Sequence, residues 1–195
     1  MESMDRLRRL FVWICRLRHS KGFGIQSPTS YRFVRYVVCE QAPYYAYAEL
    51  EKLFPLLSRS QRKLYRLYFR IANDRQVARW VDACCETNKT FKAYVQEGCR
   101  KMQVQSLTSL PDGFMLEVAR LSLRGDYEQA YEHLLAGRTA DSLLIVEGIH
   151  RSRTARQFWR KVEQDPRTGV TFDLYDCGIV FFDTKRYKEN HIVNF

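Results

Sequence analysis

From Val77 onward the chain alternates short apolar runs with helical patterns, and this alternation limits the fold more than any other feature. Val77–Cys85, Gln103–Leu107, Phe114–Leu121 and Ser142–Val146 read as strands, with Thr90–Cys99 and Asp126–Ala136 as helices between them. The run Leu143, Leu144, Ile145, Val146 is purely apolar, as expected of a strand covered on both faces. Strands separated by helices form βαβ units. The expected class is therefore α/β, with a mostly parallel sheet and right-handed crossovers. In such sheets ligands bind outside the carboxyl ends of the strands, so residues just past those ends are the ones to weigh for function.

The closing residues break the pattern. Val170–Tyr175 and Ile179–Asp183 flank the turn Asp176-Cys177-Gly178, and His191–Phe195 adds a third extended run. The sheet is expected to finish in antiparallel strands.

The N-terminal part reads as helical. A helix from about Asp5 to Arg18 has Leu7, Leu10, Phe11, Ile14 and Leu17 at three- and four-residue spacing, with arginines on the other face, and Gly22-Phe23-Gly24 ends it. Ser27-Pro28 opens a second helix and Ala46–Leu57 forms a third. The fourth, Ser60–Asn73, sets Leu64, Leu67, Tyr68 and Ile71 against an arginine face. With 195 residues, one domain is expected: a helical region over 1–76 and a core over 77–195.

Composition narrows the function classes. No low-complexity block marks a linker or disordered tail, and the longest apolar stretch near the N-terminus, Leu10–Cys15, is too short for a secretory core or a membrane span. A cytoplasmic protein is expected. The six cysteines form no CxxC pair and the four histidines lack short ligand spacings, which favours free thiols over a zinc site. The net charge is +10, and basic residues gather in 59–79 and in 151–161. Weak, sequence-independent contact with nucleic acid or an acidic partner fits that charge, although no recognised nucleic-acid motif is present. Tyr65, Tyr68, Phe158 and Trp159 in these stretches could stack bases, but aromatics at such spacing more often belong to the core side of an amphipathic helix.

Three stretches carry a resemblance. They are Gly22-Phe23-Gly24-Ile25-Gln26-Ser27-Pro28, Leu143 through Glu147-Gly148-Ile149-His150-Arg151-Ser152, and Asp173 through Phe182 followed by Lys188–Phe195. In this order they resemble a bacterial family of class I S-adenosylmethionine-dependent methyltransferases related to small-molecule O-methyltransferases. That family typically shows Gly-His-Gly-Ile-His-Ser-Pro at the first and Asp-Asp-Ile-His-Trp-Ser at the second. Phe23, Gln26, Gly148 and Arg151 depart from it.

The resemblance implies a Rossmann-like methyltransferase fold, S-adenosylmethionine as cofactor, and methyl transfer to a small-molecule acceptor. It also implies that Asp82, Cys84, Asn88 and Thr108 occupy the cofactor-binding positions, where the family shows Glu-Leu-Gly-Thr-Ser-Leu-Gly and, later, an acid for the ribose hydroxyls. Asp82 keeps the acid, while Cys84 and Asn88 stand where glycines are expected. Asn88 could preserve a left-handed turn, whereas Cys84 puts a side chain into the cofactor's space and Thr108 supplies no charged acceptor. Cofactor binding is therefore expected to be weak or lost.

Glu147 and His150, just past a buried strand, are the candidate general base and acid, against the plainer reading of a solvated loop pair. No metal is expected, because a hard cation wants more oxygen ligands than this stretch offers. Cys84 and Cys85 could be reactive at a helix N-terminus, but burial is the better reading. Two functions stay open: a methyltransferase, or a non-catalytic binding protein on the same scaffold.

Overall fold

The computed structural model describes residues 2–84, 88–111, 113–185 and 187–195. Seven strands, β1 (Arg79–Ala83), β2 (Gln103–Ser106), β3 (Val118–Ser122), β4 (Leu143–Glu147), β5 (Thr171–Asp173), β6 (Cys177–Phe181) and β7 (Asn190–Ile192), form one sheet in the order β2-β1-β3-β4-β6-β5-β7. β1 to β4 are mutually parallel. β6 runs antiparallel to both of its neighbours, β4 and β5.

The antiparallel ending is thus confined to β6. The final run pairs in parallel with β5, on the edge of β5 opposite the one taken by β6. Between β2 and β3 the chain makes only a 3-10 turn, Leu107–Ser109, and a loop. The apolar run at Phe114 lies in that loop: Phe114 and Leu116 are buried, yet β3 begins only at Val118. Leu116 N–H donates to the Gly137 carbonyl at 2.7 Å.

The helices are α1 (Glu2–Cys15), α2 (Pro28–Phe33, continuing as a π turn over Val34–Val38), α3 (Tyr45–Leu53), α4 (Arg59–Arg75), α5 (Lys89–Gly98), α6 (Tyr127–Ala136) and α7 (Arg153–Gln164). Alternation along the central strands builds two cores. Trp80, Val118, Leu143 and Ile145 face α2, α4 and α5, while Val81, Ala119, Leu144 and Val146 face α6 and α7. A third cluster, around Tyr47, Leu50, Phe69 and Tyr94, seats α3.

The two basic segments have different fates. Ser58 and Gln61 form a capping box that starts α4. Arg59 is exposed, but the other arginines of α4 do not form the expected solvated face, because neighbouring elements engage them. Arg62 and Arg66 pair with Glu51, and buried Arg70 donates to the carbonyls of Val37 (2.6 Å) and Val38 (2.9 Å). Arg75 donates to the Asp141 carbonyl. In α7, by contrast, Ala155, Phe158, Trp159 and Val162 are core, while Arg153, Arg156, Arg160 and Lys161 are exposed. Ser152 caps α7 by accepting from Ala155 N–H at 3.0 Å.

Candidate functional site

Strand order reverses between β1 and β3, since the chain goes from β1 to β2 on one side and returns to β3 on the other. In an open α/β sheet the crevice for a ligand lies at such a reversal, outside the carboxyl ends of the strands. Asp82 and Arg120 face each other there as register partners.

The contact between them is bidentate, with Arg120 Nε donating to Asp82 Oδ1 at 3.0 Å and Nη2 to Oδ2 at 3.2 Å. Arg120 Nη1 also lies 3.4 Å from Glu147 Oε1, at the end of β4, and its guanidinium carbon sits 4.0 Å from the centre of the Phe91 ring. The Arg120 side chain is only 3 % exposed. Burial alone would weaken its charge, but the Glu147 and Asp82 carboxylates outweigh that and hold its pKa above the ordinary value. The Tyr68 hydroxyl donates to Glu147 Oε1, and burial together with that carboxylate pushes the phenol pKa well up, so Tyr68 remains a donor.

The proposed cofactor residues do not act as one set. Cys84 lies beside Asp82, and burial pushes its thiol well above the ordinary range, which keeps it a thiol rather than a thiolate. Cys85 lies outside the described residues. Asn88 does not stand in for a left-handed glycine: its φ is −98° and it is the N-cap of α5. Its Oδ1 accepts from Phe91 N–H at 3.0 Å and its Nδ2 donates to the Tyr65 hydroxyl at 2.7 Å. Thr108 is in the turn after β2, 3.0 Å from Ser106 Oγ, and lines a separate hollow of about 630 Å³ with Asp126 and His133.

Glu147 and His150 each have their own partners. Gly148, at φ +77°, turns the chain sharply after β4. His150 Nε2 then lies 2.7 Å from Asp173 Oδ2, and its ring stacks on Tyr175 at 5.2 Å. Arg16 Nη1 donates to Asp173 Oδ1 at 2.9 Å and Nη2 lies 3.4 Å from His150 Nε2. Burial would raise the Asp173 carboxyl pKa, but hydrogen bonds from His150 and Arg16 prevail and hold it below the ordinary range. Among the described residues, the carboxyl end of the sheet therefore carries two ionic clusters, centred on Arg120 and on Asp173. Neither centre stood out in the sequence. The signal for Arg120 was present, as a charge set among Val118, Ala119 and Leu121.

No protein-family model matches the chain, and no curated protein matches it in sequence. Among solved structures it is similar to the S-adenosylhomocysteine-bound methyltransferase PaMTH1 of Podospora anserina, with a TM-score of 0.51 and 11 % identity, covering 81 % of this chain and 97 % of that one. At that identity the likeness is one of architecture, and the architecture of this chain is that of a Rossmann-like methyltransferase fold.

Proposed function

We propose that this chain is a cytoplasmic protein of the methyltransferase fold that no longer transfers methyl groups, and that it binds an anionic partner instead. The observation that carries this reading is Arg120. S-adenosylmethionine brings a positive sulfonium and a positive amino group, and the carboxylates at this crevice that could receive them, Asp82 and Glu147, are already paired with a buried guanidinium. Thr108, to which the resemblance gives the ribose position, carries no carboxylate and lines a separate hollow. Glu147 is also already engaged, by the Arg120 guanidinium and by the Tyr68 hydroxyl, rather than left open toward a small-molecule acceptor.

The test is calorimetric. Titration of the unmodified protein with S-adenosylmethionine and with S-adenosylhomocysteine should give no heat of binding. Micromolar affinity for either would return the transferase reading, with Asp82, Cys84, Asn88 and Thr108 as its cofactor contacts and Glu147 and His150 as its acid–base pair.

The exposed arginines of α7 favour an anionic polymer as the partner. Single-stranded RNA should bind weakly, without sequence preference, and with affinity that falls steeply as salt rises. Changing Arg153, Arg156 and Arg160 to glutamate should cost at least about tenfold in affinity at low salt, measured by fluorescence anisotropy. Affinity that ignores salt, or that the triple variant leaves intact, would contradict this assignment.

A further inference from the structure

α1 is mounted with its polar side inward. Arg9 and Arg16, two turns apart, pair with Asp176 (2.7 and 3.0 Å) and Asp173 (2.9 Å) at the carboxyl end of the sheet. Asn194 ties down the far end of the helix, its Nδ2 donating to the Trp13 carbonyl at 3.2 Å and its N–H to the His19 carbonyl at 2.9 Å. The apolar stripe expected to face a core faces solvent instead. Leu7, Leu10, Phe11, Trp13, Ile14 and Leu17 are 47–68 % exposed, and Phe23 just beyond is 78 % exposed. A contiguous apolar face of this kind marks a surface that something covers.

Charge selects the occupant. Residues 6–39 contain eight lysines and arginines and no acid; Arg9 and Arg16 are turned inward onto carboxylates, while Arg18 and Lys21 are exposed beside the stripe. A second copy would bring two such basic faces together, at a cost in repulsion. An anionic bilayer satisfies both features, since aliphatic and aromatic side chains enter the acyl boundary while headgroup phosphates meet the cations. α1, with 14 residues, is too short to span a bilayer and suits lying flat in its interface. No described helix is long and apolar enough to cross a membrane.

We propose that the outward face of α1 is a docking surface for anionic membranes, on which the protein rests with the Leu7–Leu17 stripe inserted. The surface does not depend on whether the crevice holds a cofactor.

The full chain should sediment with phosphatidylcholine vesicles containing about one third phosphatidylserine, and at least about tenfold less with pure phosphatidylcholine or in molar salt. Trp13 provides an internal reporter, because Trp80 and Trp159 are already buried. Its emission should shift to the blue on the anionic vesicles, and Trp13→Phe should abolish that shift while the protein still sediments. Leu10→Glu with Ile14→Glu should reduce vesicle binding at least about tenfold without moving the thermal midpoint, since both side chains contact solvent. Failure to sediment with the anionic vesicles, or sedimentation that this double variant leaves unchanged, overturns the proposal. So does a dimer in solution that the double variant splits, which would assign the stripe to a second copy, or binding to an acidic protein with none to lipid.

Discussion

Replacing Arg120 with methionine should lower the unfolding free energy by about 3–5 kcal/mol, because the substitution leaves the carboxylates of Asp82 and Glu147 largely shielded from water with no buried cation between them. Methionine keeps most of the apolar stem that packs beside the Phe91 ring, so the larger part of the loss is electrostatic. Urea denaturation at neutral pH measures it. Adding Asp82→Asn and Glu147→Gln to the variant should recover a large part of the loss, since residues in one ionic network are strongly non-additive. A loss under about 1 kcal/mol, the value of an exposed pair, would mean that water solvates this cluster. The crevice would then be open to a ligand.

Gly98→Ala sets two effects against each other. Alanine is favoured over glycine within a helix by about 1 kcal/mol. A Cβ at Gly98, however, would stand well inside 3.0 Å of the Phe69 carbonyl oxygen and 2.9 Å from Ala72 Cβ, where α5 crosses α4. Backbone at a packed crossing does not move aside cheaply, so overpacking should prevail and destabilise the protein by about 2 kcal/mol. Thermal unfolding checks the sign. A raised midpoint would show that the two helices have room to separate.

The parts of the fold that were legible in the sequence are those whose signal is local. β4 could be read from four consecutive apolar residues because helices cover it on both sides. Phe114 misled for the same reason: an apolar run reports burial, and Phe114 and Leu116 are buried in a loop rather than a strand. In α1 the periodicity correctly grouped the apolar residues on one face, but periodicity does not say on which side of a helix the rest of the protein lies. α7 was harder to place because its dense positive charge masked the spacing of Ala155, Phe158, Trp159 and Val162.

The site was legible only as a set of positions. Asp82, Glu147 and His150 do lie at the carboxyl ends of their strands, as strand order and motif indicated. What holds them was not legible. Arg120 and Asp82 are 38 residues apart, and His150 and Asp173 are 23 apart, so the pairing depends on register and not on local pattern. Asn88 shows the converse, since an asparagine just before a helix is a capping signal in its own right and does not require an ancestral glycine to explain it.

The ion pairs that seat α1 join residues 157 and 167 positions apart. Closing so long a span is entropically costly, and these contacts bury little apolar surface in return. α1 is therefore suited to dock late, after the sheet has formed, and to lift away in a local opening that leaves the strands paired. Such an opening would uncover Asp173, His150 and Tyr175 together, so the carboxyl end of the sheet has a built-in cover whose release need not involve unfolding the domain.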